Sequence, residues 1–172
     1  MLSASWSGPV VDGNADGKGL LKYVFKDDDG KEIKGQADSE MKAGKLNGKV
    51  SLTWAGASFD GYYREGLAEG KGVKKYASGA VYDGDWKNGF PNGKGVLKND
   101  DGRIFKGDWK DGYLDGKVTL TWPSGQTYVG DYKKGQRDGY GVVKNAAGNV
   151  IYSGEWKNDK PVACFPGMSE MN

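Results

Sequence analysis

The sequence predicts an all-β chain: an elongated, single-layer, twisted antiparallel sheet, assembled as a solenoid-like array of β-hairpins that takes up residues 1–172 as one domain. Three observations predict it. An aromatic-x-Gly-x-aromatic block returns at Phe59, Tyr82, Phe105, Tyr128 and Tyr152, at spacings of 23, 23, 23 and 24 residues. Self-similarity at a fixed period marks units that bury their apolar face on their neighbours. Glycine supplies 30 residues and falls at set places within the unit, so it holds structural positions instead of loosening a linker. No window carries capped helical periodicity, so almost no helix is expected.

The stretch Tyr82–Trp109 states the rule. Counting the opening aromatic as position one, Gly stands at position three (Gly61, Gly84, Gly107, Gly130, Gly154) and an aromatic at position five (Tyr63, Trp86, Trp109, Tyr132, Trp156). Position eight is Gly66, Gly89, Gly112 and Gly135, and position twelve is Gly70, Gly93, Gly116 and Gly139. Short aromatic segments bounded by Asn-Gly, Asp-Gly or Ser-Gly read as strands joined by tight turns.

The N-terminal third follows the rule more loosely. Trp6-Ser7-Gly8 opens a unit with Gly13, Gly17 and Gly19 in register, but Val10 replaces the second aromatic. The next unit opens at Ile33-Lys34-Gly35 and reaches Gly44 and Gly48 only after about four extra residues, through Gln36–Ala43, expected as a bulged loop or specialised excursion. Units thus start near 6, 33, 59, 82, 105, 128 and 152. The last is cut short by Asp159 and Pro161 and runs into a tail at 161–172, as the atypical end of an array.

Alternation assigns the faces. Tyr82, Gly84 and Trp86 share one side; Asp85 and Lys87 share the other, as do Asp108 and Lys110, Asp131 and Lys133, and Glu155 and Lys157. Two units carry Gly-Lys-Val-x-Leu-Thr-Trp, ending in Trp54 and Trp122, where Val and Trp are expected to fill space left open elsewhere.

The pattern Tyr82-x-Gly-x-Trp-x-x-Gly, then Gly93-x-Gly95, then Gly102 before Phe105, resembles the MORN (membrane occupation and recognition nexus) repeat. The resemblance covers Trp6 to about Lys160, about seven units. It implies antiparallel hairpins in an elongated, twisted, grooved sheet, and a non-enzymatic role in protein assembly, dimerisation or membrane-lipid contact.

Composition narrows the chemistry. The chain has no His, one cysteine (Cys164) and a net charge of +2, from 25 basic and 23 acidic side chains. These remove His-dependent nucleophile pairs, an internal disulfide, a Cys-rich metal site and a strong pull on nucleic acid. No enzyme activity, cofactor or metal is expected, and Asp27-Asp28-Asp29-Gly30 and Asp100-Asp101-Gly102 read as turns because they lack spaced calcium ligands. No stretch is long and apolar enough to span a membrane, and Met1–Val11 lacks the layout of a signal peptide, so a soluble protein, cytoplasmic or peripheral to a membrane, is expected.

Two candidate surfaces remain. The ring stripe Tyr82, Trp86, Phe105, Trp109, Tyr128, Tyr132, Tyr152 and Trp156 is either the packing layer of the sheet or a groove for a protein partner, a second copy included. The lysines Lys87, Lys110, Lys133 and Lys157 suggest anionic phospholipid, but each follows an acid by two residues on the same face, which should nearly cancel its charge. A glycan-binding array is a third reading, weakened because Gly separates the rings.

Overall fold

The structure, a computed structural model, describes residues 3–26 and 29–162. It contains no helix among them. Fourteen antiparallel strands form one open sheet in strict chain order, with a separate two-stranded hairpin near the N-terminus. The strands are β1 (Ser3–Trp6), β2 (Val10–Val11), β3 (Asn14–Ala15), β4 (Gly17–Lys26), β5 (Glu32–Lys42), β6 (Lys45–Trp54), β7 (Ala57–Arg64) and β8 (Leu67–Lys75). They continue as β9 (Val81–Lys87), β10 (Phe90–Lys98), β11 (Ile104–Lys110), β12 (Tyr113–Thr121), β13 (Thr127–Lys133), β14 (Gln136–Lys144), β15 (Val150–Lys157) and β16 (Lys160–Pro161). At the usual inter-strand spacing the sheet runs for about 60 Å.

Each unit is one hairpin closed by a two-residue turn whose residues both take positive φ, as at Asn88 (51°) and Gly89 (84°). That is the turn whose twist matches a hairpin, which explains an Asn-Gly pair at this position. The longer turn between units closes on itself through bonds such as Tyr76 N–H to the Ala80 carbonyl, 2.8 Å.

The second glycine pair has a steric cause. Gly84 faces Gly95 across the hairpin, and the Tyr82 ring lies over both. A Cβ on Gly95 would stand 2.6 Å from ring atoms Cε2 and Cζ. Trp6, Phe59 and Tyr128 cover their own glycine pairs in the same way. The two valine units break this rule together with its partner. Val50 faces a strand that carries Ala37 in place of the ring, and Val118 has displaced Phe105, which is only half-buried. The buried Val50 and Val118 therefore occupy space that a ring takes in other units, whereas Trp54 and Trp122, expected to fill space with them, stand half-buried.

The N-terminal third differs from expectation in two places. The residues expected as a loop at Gln36–Ala43 are strand: β4 and β5 pair over ten positions from Gly17↔Met41 to Lys26↔Glu32. Register shows why. Gly44 and Gly48 occupy positions eight and twelve of a unit that starts at Ala37, not Ile33, with Ala37, Ser39 and Met41 buried where other units carry ring, glycine and ring. The extra residues lengthen both arms of the β4–β5 hairpin. Ser39 fits a glycine position because Ala37 lays no ring across it. At the first unit, Val10 gives the hairpin tip no ring to anchor it, and β2–β3 leaves the main sheet with Val10 63% exposed. Cys164, Asp27, Asp28 and most of the 161–172 tail lie outside the described residues.

Candidate functional site

The eight stripe residues converge as one layer. Seven of them, Tyr82, Trp86, Trp109, Tyr128, Tyr132, Tyr152 and Trp156, are buried, and Phe105 is half-buried. They meet edge to face. Phe59–Trp86 and Tyr82–Trp109 are each 5.1 Å between centroids, Tyr82–Trp86 is 5.3 Å, and Tyr128–Trp156 is 5.4 Å. Most of the buried polar ends are satisfied by backbone, the Trp156 indole N–H being the one in the stripe without an acceptor among the described residues. The Trp86 indole N–H donates to the Gly72 carbonyl at 3.0 Å, and the Tyr82 and Tyr128 hydroxyls donate to the Asp85 and Asp131 carbonyls, each at 3.1 Å. Burial raises the Tyr82 and Tyr128 hydroxyls above the ordinary phenol range and pushes Tyr132 up to about 12. The rings are thus the array's core, and the stripe presents few open ring faces.

What the face leaves accessible lies along its long-turn edge, eighteen positions into the units. Tyr23, Trp54, Tyr76 and Trp122 stand there half-buried. Between Tyr23 and Trp54 lies Gly35, and beside Trp54 lies Ala57, its cross-strand partner, so small residues separate the large ones. On the opposite, polar face of the same edge a cleft of about 900 Å³ is lined by Lys22, Val24, Lys34, Gln36 and Thr53, with Ser3 and Ser5 closing one end. The longer β4–β5 arms build this cleft.

Lys74 breaks the local chemistry. It pairs with Phe59 on one side and Tyr82 on the other, which places it on the ring face. The equivalent residues elsewhere are Leu21, Leu52, Leu97, Leu120 and Val143. Its ammonium sits 4.7 Å from the Tyr76 ring centre and 6.0 Å from that of Trp54, and burial lowers its pKa. Sequence reading passed over it; counting sixteen positions from each unit start would have shown a lysine in a leucine row.

On the opposite face, the charge pairing differs from expectation. The position-four acids do not cancel the lysines two residues on. Asp85 binds Lys71 of the preceding hairpin at 2.5 Å, Asp108 binds Lys94, and Asp131 binds Lys117 at 2.6 Å. The same carboxylates accept a backbone N–H in their own hairpin, as Asp85 does from Lys94 at 2.9 Å. The Lys71 contact, foremost, holds the Asp85 carboxyl below the usual range. Lys87, Lys110 and Lys133 are exposed and make no ion pair among the described residues, whereas Lys157 is held by Asp138 at 2.9 Å. Acids nonetheless flank this edge: Glu69 and Asp115 accept the Asn88 and Lys134 backbone N–H groups at 3.3 and 3.2 Å.

The array ends on a clamp. Arg137 replaces a small or apolar residue, stacks 4.2 Å from the Trp156 ring centre and donates from Nε to the Asp159 carboxylate at 3.1 Å and from Nη2 to the Asp159 carbonyl at 3.0 Å. Asp159 stands where the other turns have Gly, at φ 66°. Its bond to Arg137 offsets a conformation that costs a non-glycine residue about 1 kcal/mol.

Comparison with known proteins agrees with this geometry. No curated protein matches the chain significantly. Residues 59–81, 82–102, 105–127, 128–150 and 152–162 match the family model of the MORN repeat, together more than half of the chain, and each matched segment opens on a ring of the buried layer or on Phe105. With the hairpin array, the paired glycines and these five consecutive matches in view, the chain belongs to the MORN repeat family.

Proposed function

We propose that this array is a non-catalytic scaffold that binds a protein partner along the long-turn edge of its ring face. MORN repeats are commonly non-catalytic binding modules. The observation that carries the finer reading is the line of half-buried rings at Tyr23, Trp54, Tyr76 and Trp122. Rings that remain half-open above a rigid layer supply contact area at little entropic cost. The buried rings from Tyr82 to Trp156 then act by holding that edge in place. Photo-crosslinking from the edge, followed by pull-down, tests this. Trp54→Ser with Trp122→Ser should release the partner while the fold persists, and a partner retained by the folded double variant sinks the proposal.

A second reading, peripheral contact with anionic phospholipid, draws support from the unpaired Lys87, Lys110 and Lys133. Each such cation near an anionic surface contributes about 1 kcal/mol. Co-sedimentation with phosphatidylserine vesicles at low salt decides it: pelleting should disappear in Lys87→Glu/Lys110→Glu, and no pelleting of the wild type ends the reading.

A further inference from the structure

A cation in the ring layer requires a reason. In every other full unit the residue between the opening rings is Leu or Val, and in one it is Lys74. The lysine is half-buried, lies over Tyr76 and near Trp54, and has no carboxylate within ion-pair distance among the described residues. Desolvating an ammonium without a counter-ion is unfavourable, and the two ring faces return only part of that cost. Leucine at this place would bury apolar surface at no such penalty. The side chain stands at the penultimate position of β8, paired on both sides with ring-bearing positions and not in a turn. It sits one residue pair inward from the edge, where Ala57 faces Trp54 and the Tyr23 ring covers Gly35.

From the Lys74 ammonium, which lies between Trp54 and Tyr76 with no carboxylate partner among the described residues, we infer that the array recognises a peptide segment in which a carboxylate side chain is flanked by apolar or aromatic residues. This rests on the protein-binding reading above and names the partner's chemistry. The carboxylate meets the ammonium as a charge-assisted contact in partly desolvated surroundings, where such a contact is stronger than in water. The flanking apolar groups pack over Ala57 and against the half-buried rings of Trp54, Tyr76 and Tyr23. Lysine, a point charge on a flexible stem, suits a carboxylate approaching over a ring; it need not match a planar fork. Specificity then comes from the pairing: a wholly apolar segment leaves the cation buried deeper and unpaired, and a wholly acidic one leaves the rings uncovered.

Selection of a displayed random peptide library against the full chain tests this. The selected peptides should carry Asp or Glu next to Phe, Leu, Ile or Trp. A synthetic peptide from that pool should bind Lys74→Leu about tenfold more weakly than wild type, and Lys74→Arg within a few-fold. Lys74→Leu restores the residue of the neighbouring units, and its urea midpoint, measured alongside, should be no lower than that of wild type, so lost binding is not lost folding. Phosphatidylserine vesicles should fail to displace the peptide. Enrichment of carboxylate-free peptides that Trp54→Ser abolishes would overturn this inference and leave the protein-binding reading standing. Equal affinity for wild type and Lys74→Leu, or displacement by the vesicles, would also overturn it, and absence of any enriched peptide would overturn both.

Discussion

Gly95→Ala is the sharpest test of the ring-over-glycine packing. In an open strand this change should stabilise by a few tenths to about 1 kcal/mol, because alanine restricts the unfolded chain. Here the new methyl would stand 2.6 Å from Tyr82 Cε2 and Cζ, and Gly95 has no positive φ that would itself oppose alanine. Backbone surrounds the remaining space, since Gly84 across the hairpin is equally close-packed. The ring must therefore move. Displacing it strains a packed core by about 1–3 kcal/mol. It also weakens the hydroxyl bond to the Asp85 carbonyl, worth about 1 kcal/mol, and two edge-to-face contacts at about 0.5–1.5 kcal/mol each. The net expectation is a loss of about 3–5 kcal/mol. Urea unfolding of wild type, Gly95→Ala, Tyr82→Ala and the double variant separates the causes. With the ring gone, the added methyl should cost under about 1 kcal/mol, so the two changes should be strongly non-additive. A Gly95→Ala midpoint equal to that of wild type, or strict additivity, would refute the reasoning.

Alkaline pH should unfold the array for an identifiable reason. Burial raises Tyr132 to about 12 and Tyr82 and Tyr128 further, so the folded state holds their protons where the unfolded chain, near 10, gives them up. Stability is fully present below pH 10 and falls as pH rises through the folded values, which phenolate absorbance should register as ionisation lagging until the fold opens. At the other end, the depressed carboxyl of Asp85, paired with Lys71, contributes stability that is present above about pH 4 and lost as pH falls through its folded value, a loss that Lys71→Met should remove from an acid titration followed by fluorescence. Asp159→Ala should free Arg137 over Trp156 and speed hydrogen exchange in β15, costing about 1–3 kcal/mol locally, whereas Asp159→Gly should cost less because glycine accepts φ 66°. Lys74→Leu should raise the urea midpoint by the equivalent of about 1 kcal/mol.

The periodic part of this fold was legible because each repeated residue has one local cause. Asn88-Gly89 names its own turn, and Tyr82, Gly84 and Trp86 name their face by alternation. What escaped were features fixed between hairpins. Ala37 and Ser39 do not look like a ring and a glycine, and only Gly44 and Gly48, counted backwards, show that the unit begins there. Asp85 could be seen to share a face with Lys87, but its partner is Lys71, fourteen residues earlier, because the β8–β9 register brings that lysine opposite. The burial of the stripe was one of two open readings in the sequence. A single sheet has no second layer to cover it, and only the edge-to-face interlocking of successive rings shows that the layer closes on itself.

The regular and the irregular residues therefore do different work. A ring over paired glycines, an acid bound to the lysine of the neighbouring hairpin and a two-residue turn each recur because a stack of identical hairpins needs them. Their recurrence removes them as markers of a particular partner. Residues that depart from the rule divide by what the departure achieves. Val118 with the displaced Phe105, and Arg137 with Asp159, are compensated within the array: valine fills the ring's space, and the carboxylate meets the guanidinium. Lys74 is the departure for which the described residues provide rings but no counter-charge. A cost that the fold leaves uncompensated is where a ligand can add most to stability, because binding then returns what folding gave up. This sets the order of experiments, with Lys74→Leu examined before any ring of the buried stripe, since every stripe variant confounds binding with the packing that holds the edge in place.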